Sequence, residues 1–196
     1  MRAVVAALHE GFGFGGAAPQ NFVSMEVRMS VRLSGVFSEI NPTQLVNPTL
    51  AFLKNYWEQK RAGRALPTRA DIKPSEMKQH LGWVVLVDAL PGFGDFRYRT
   101  IGTRLSPYFA PQSTGKPISE VFQPFGEPVV KAMLAPYRKA ARDQVVVHAW
   151  GAADWMGRAF LDFESIYMPL SDDGVTANMV LSAVTFELAA PLKPQP

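Results

Sequence analysis

The sequence predicts an α+β fold: a five-stranded antiparallel sheet with short helices covering one face and a further helix N-terminal to it. Three observations carry this. WVVLVDAL (83–90) and DFRYRTIGT (95–103) are rich in β-branched and aromatic residues and flank a proline–glycine turn, PGFG (91–94), which reads as a hairpin. Three more such runs close the chain in direct succession, and strands joined by tight turns pair antiparallel. Between the second and third runs lies a long stretch of short helical segments, which has to cross one sheet face to reach its partner strand. At 196 residues and 47% hydrophobic, the chain can bury one core of ordinary size, and one main domain over residues 41–190 is expected.

The first element of that domain starts at Asn47, an N-cap residue type, with Pro48 at the first helical position and Gly63 where a left-handed C-terminal residue would sit. Leu50, Leu53, Tyr56 and Trp57 form its apolar stripe, opposite Lys54, Glu58, Lys60 and Arg61. LPTRADIKP (66–74) reads as a structured loop and residues 75–80 as a short helical turn, after which the hairpin follows. RLSPYF (104–109) and ISEVF (118–122) read as short helical pieces. A longer amphipathic helix from Glu127 to Arg142 can place Val130, Met133, Leu134 and Tyr137 on one face, with Pro136 a potential kink. The closing strands are QVVVHAW (144–150), FLDFESIYMPL (160–170) and TANMVLSAVTFEL (176–188), joined by WMGR (155–158) and by an Asp172-Asp173-Gly174 turn.

Residues 1–40 contain a small-residue, glycine-rich run and sustain no period, so they are expected to be a poorly ordered extension, with Met25 or Met29 an alternative start. Residues 191–196 are expected to be a frayed tail. Gly11, Gly13 and Gly16 spell GxGxxG, but no helix opens at the third glycine, as a dinucleotide site requires.

Composition excludes several function classes. With no cysteine, there is no disulfide, thiolate metal site, cysteine nucleophile or cysteinyl-flavin photoadduct. A net charge of +3 is too mild to imply nucleic acid. No apolar run approaches the roughly 20 residues that cross a bilayer, and no signal-peptide pattern opens the chain, so no membrane partner is expected and the location is expected to be cytoplasmic.

Several elements, in order, resemble the PAS_5 family of PAS-domain proteins, common in alphaproteobacteria. They are Arg61, Gly63, Leu66, Pro67 and Arg69; Asp71, Ile72 and Pro74; Phe96 to Arg99 with Gly102 and Thr103; and Thr114, Gly115 and Lys116. The resemblance spans roughly residues 50–188 and implies a PAS-like fold with a sensory or regulatory role, exercised through a small ligand, dimerisation or contact with a signalling protein. It fixes no chemistry by itself.

The candidate site is aromatic. Phe96, Tyr98, Tyr108, Phe109, Phe122, Phe163 and Tyr167 lie on the strands and covering segments that would line a PAS-like pocket, and Tyr98 or Ser182 can supply a polar contact to a small, largely apolar ligand. Plain core packing accounts for the same residues. An alternative is a ligand-free dimeric adaptor, in which Leu50, Leu53 and Trp57 pair with a second copy. A small cone-shaped-cavity enzyme is a further alternative, and it calls for a buried carboxylate paired with histidine or arginine in the cavity.

No such pair stands out in the sequence. Asp162 and Glu164 alternate with Leu161 and Phe163 and read as a solvated sheet face. His9, His80 and His148 lack ligand spacing, so no metal site is assigned; His80 and His148 read as surface or structural, and there is no haem signature. No serine sits in a nucleophile elbow. No cofactor is required, and its identity stays open. Arg97 and Arg99 read as a protected, solvated strand face, and Arg69 and Asp71 as a clamp on their own loop.

Overall fold

The computed structural model describes residues 38–40, 45–109, 112–153, 157–158 and 161–188. The strands are β1 (Ser38–Ile40), β2 (Val84–Ala89), β3 (Phe96–Ile101), β4 (Val147–Ala152), β5 (Leu161–Ser171) and β6 (Ala177–Leu188). They form one antiparallel sheet in the order β1-β4-β5-β6-β2-β3. The five expected strands are all present. β1 is an addition at the edge, pairing Ser38 with Trp150 and Ile40 with His148, inside the segment expected to be an extension. Residues 1–37, including the GxGxxG stretch and both alternative starts, lie outside the described residues, as do residues 154–156 of the expected turn and the tail from 189.

Helix α1 (Pro48–Arg61) opens as its residues dictate: the Asn47 side chain accepts from Thr49 N at 2.9 Å, and Pro48 needs no donor partner. It ends on a left-handed pair, Ala62 (φ 49°) and Gly63 (φ 80°), so the turn begins one residue before the expected glycine. The stripe of Leu50, Leu53, Tyr56 and Trp57 is buried, and Trp57 Nε1 donates to the Pro169 carbonyl at 2.8 Å, fixing the helix to β5. Helices α2 (Ile118–Phe122) and α3 (Glu127–Asp143) follow the first hairpin; α3 runs without a break, with Pro136 buried inside it.

The sheet is covered on both sides, and this corrects one expectation. Register sets Phe163, Ser165 and Tyr167 of β5 opposite Phe186, Val184 and Ser182 of β6, on the face that receives Tyr137 of α3. Glu164, Ile166 and Met168 point the other way, where α1 and the segment before it lie. β5 is therefore buried along its whole length. Asp162 and Glu164, expected on a solvated face, are 8% and 5% exposed. A central antiparallel strand has an open face only if no element packs on it, and here α1 does.

The loop before β2 is clamped by its own side chains, as expected of Arg69 and Asp71. Asp71 Oδ2 accepts from Thr68 Oγ1, Thr68 N and Arg64 Nη2, each at 2.7 Å, while Arg69 Nη1 donates to the Ile72 carbonyl at 3.0 Å.

Candidate functional site

A cavity of about 40 Å³ opens between the sheet and its helical cover. Strands β3, β5 and β6 contribute Tyr98, Phe163, Tyr167, Val184 and Phe186 to its wall, which is possible because alternate residues of each strand share a face. Helices α2 and α3 contribute Phe122, Met133 and Tyr137. The turn at 106–109 contributes Tyr108 and Phe109. Ring packing defines the wall: Tyr98 meets Phe109 edge-on at 5.7 Å, Tyr137 meets Tyr167 edge-on at 4.7 Å, and Tyr108 lies flat on Phe186 at 3.7 Å.

Polar groups in this region are few and their engagements differ. The Tyr137 hydroxyl is 2.9 Å from Ser182 Oγ, and Ser182 Oγ in turn donates to the Val85 carbonyl at 3.4 Å. Burial pushes the Tyr137 hydroxyl far above its ordinary pKa, and Tyr167 up to about 12, with the Ser165 hydroxyl pulling the latter the other way. Burial likewise raises Tyr98 well above its ordinary value, reinforced by Tyr137 and Tyr167. All three are neutral phenols at any physiological pH. Among the described residues no charged side chain lines the cavity, while the Arg158 guanidinium lies 4.9 Å from the ring centre of Tyr108, on the wall.

Of the residues expected to line a pocket, Tyr98, Tyr108, Phe109, Phe122, Phe163 and Tyr167 surround this cavity. Phe96 and Ser182 do not. Phe96 is fully buried and packs its ring 5.5 Å from Tyr137, and Ser182 sits behind Tyr137 as its hydrogen-bond partner. Sequence reasoning left out Met133, Tyr137, Val184 and Phe186. The α3 stripe already placed Met133 with Tyr137, and period-two alternation from Ser182 leads to Val184 and Phe186, so the signal was present.

Leu50, Leu53 and Trp57, expected to pair with a second copy, are instead core residues: both leucines are 0% exposed and Trp57 is 4%. They pack on the protein's own sheet, where the helix buries its apolar stripe, and offer no surface to a partner.

A buried carboxylate–histidine pair does exist. His148 Nε2 lies 2.9 Å from Glu164 Oε1, and Glu164 also accepts from Val46 N at 3.1 Å and Asn47 N at 3.0 Å. Burial alone would raise the Glu164 carboxyl, but these donors outweigh it and hold it below its ordinary value. The donor role requires the proton on His148 Nε2, which leaves Nδ1 buried without a partner, as is Trp150 Nε1. Register places this pair on the α1 face of the sheet, away from the aromatic cavity, so it supplies nothing to chemistry there. His80 is structural, stacking on Phe52 at 4.2 Å with Nδ1 3.3 Å from Thr49 Oγ1. Arg97 is exposed, and Arg99 pairs with Asp88 across the hairpin at 3.1 Å. Among the described residues, no cluster of histidine and carboxylates could hold a metal ion, and no helix is long and apolar enough to cross a membrane.

In comparison with protein families, the PAS_5 family model, described as a PAS domain, matches residues 45–185. The curated proteins give no match, and neither do the solved structures.

Proposed function

This chain belongs to the PAS_5 family of PAS domains, and from that membership we propose that it is a sensory or regulatory module whose aromatic cavity holds a small ligand and whose output is contact with another protein. The observation that carries the reading is the cavity itself. It lies between the sheet and its helical cover, and among the described residues its lining is aromatic and aliphatic, with no charged side chain.

The ligand-free adaptor reading loses its named interface, because Leu50, Leu53 and Trp57 are in the core. The enzyme reading asks for a carboxylate–histidine pair in the cavity, and the pair present is on the other face. Neither is favoured by a specific observation.

The test is an absorption spectrum and a native mass spectrum of the full chain from one preparation. A mass excess that disappears on denaturation, or a visible chromophore, supports the ligand reading. A clean apo mass that no small molecule shifts refutes it, and a doubled mass identifies a second copy as the protein partner.

A further inference from the structure

We infer that the ligand is a short-chain aliphatic monocarboxylate, with a tail of about three carbons in the aromatic cavity and its carboxylate on Arg158 at the rim. This rests on the reading of the cavity as the ligand site.

The rim is identified by exposure. Tyr108, Phe109, Met133, Val184 and Phe186 are half-buried, whereas the other lining residues are buried, so the cavity meets solvent on the side of these five. Tyr108 lies flat on Phe186 at that side. Arg158 stands just beyond it, outside the lining itself, with its guanidinium 4.9 Å from the Tyr108 ring centre.

That guanidinium is held in place and lacks a counter-charge. Its backbone is fixed between β4 and β5, where Arg158 N donates to the Ala153 carbonyl at 3.1 Å and the Arg158 carbonyl accepts from Leu161 N at 2.9 Å. Its Nη2 donates to the Pro107 carbonyl at 2.9 Å, and among the described residues no carboxylate pairs with it. A half-buried cation has given up hydration, and the neutral groups it touches return only part of that cost; an arriving carboxylate returns more. Among the described residues no carboxylate lines the cavity to repel it. An apolar hollow with a cation at its mouth therefore selects an apolar body with one anionic end.

Volume sets the length of that body. The cavity is about 40 Å³ and a water-sized group needs roughly 10–15 Å³, so about three such groups fit. A cavity that takes benzene measures roughly 150 Å³, which excludes a ring.

The test titrates butyrate, butanol and octanoate into the full chain while following the Met133 ε-methyl resonance, which reports from the cavity wall. Butyrate is expected to bind about tenfold tighter than butanol, the lower end of what a charged hydrogen bond adds, because Arg158 is partly in water. In Arg158→Gln the ratio should fall to about one, and in Arg158→Lys, which keeps the charge, most of it should survive. Octanoate should bind no tighter than butyrate, since its four further methylenes stay outside; buried, they would add roughly a hundredfold or more. Butanol matching butyrate, a preference that survives Arg158→Gln, or octanoate binding a hundredfold tighter overturns the inference and leaves the cavity a ligand site. If no probe binds but the purified protein carries a mass excess, the inference fails alone; if no probe binds and no excess is found, the ligand reading fails with it.

Discussion

Replacing Glu164 by alanine should destabilise the domain by about 3–4 kcal/mol, and the structure says where that figure comes from. The carboxylate accepts three hydrogen bonds, from His148 Nε2, Val46 N and Asn47 N. The two backbone donors belong to a partly exposed segment, so water can replace the carboxylate for them at small net cost. His148 is 1% exposed and has no such substitute, and its Nδ1 is already unpartnered. Removing one member of a buried pair typically costs about 3–5 kcal/mol, and partial hydration of the backbone donors brings the expectation to the lower part of that range. For a domain of this size the melting temperature should fall by about 10 °C. The decisive assay is a double-mutant cycle by urea denaturation with His148→Leu, Glu164→Met and the double variant. If the buried pair is what the singles break, the double variant is more stable than the sum of the singles predicts, by about 2 kcal/mol. Singles that cost under about 1 kcal/mol, or that add without coupling, would refute the reading of this pair as a buried, mutually dependent contact between β4 and β5.

Gly102→Ala should cost about 2–3 kcal/mol in the same denaturation assay, because a Cβ there overlaps the carbonyl oxygens of Leu81 and Gly82 while Gly102 N is bonded to Val84 O at 2.8 Å. Trp57→Phe should lower stability by about 1 kcal/mol, with the Pro169 carbonyl losing its donor, measured as a shift in urea midpoint. Acid should weaken the fold through the carboxyls held low in the folded state, of which Glu164, Asp71 and Asp173 are three. Glu164, depressed in the folded state, contributes stability that is complete above its ordinary value of 4.5 and is lost as pH falls through its folded value. The Thr68 hydroxyl and N–H, with Arg64, hold Asp71 at about 2, so its contribution is complete above 3.8 and fades between there and about 2. Melting temperature followed from pH 6 to pH 2 should be flat in the upper part and fall below about 4.5, and Glu164→Gln with Asp71→Asn should remove part of that fall, the share of Asp173 remaining.

The fold was legible because each element announced itself locally. Asn47-Pro48 and the i, i+3, i+7 stripe of Leu50, Leu53 and Trp57 define α1, and the proline–glycine turn at 91–94 defines the first hairpin. β1 was not legible: three residues, SEI, carry no measurable period, and their strand state is set by pairing with β4. The cavity wall was legible in part for the same reason. Tyr98, Phe163 and Tyr167 alternate on strands whose direction the turns dictate. Aromatic residues fill cores and pockets alike, so sequence alone could not separate Phe96, which is packed solid, from Tyr98, which borders the open space.

The misreading of Asp162 and Glu164, and of Leu50, Leu53 and Trp57, has one cause. Alternation says that residues 162 and 164 share a face, and helical period says that residues 50, 53 and 57 share a stripe, but neither says what that face or stripe meets. Both answers are the same contact: α1 lies on the sheet, and Val46, two residues ahead of the helix, donates to a carboxylate 118 positions away. A solvated strand face and a free helix stripe are each plausible in isolation, and together they leave an apolar stripe unburied beside a sheet face with nothing on it. The observation that could have decided it from sequence is that β5 carries Ile166, Met168 and Leu170 on the same face as its two acids. A face that is acidic at one end and wholly apolar for the rest of its length needs a cover, and the only amphipathic helix not already assigned to the other face is α1.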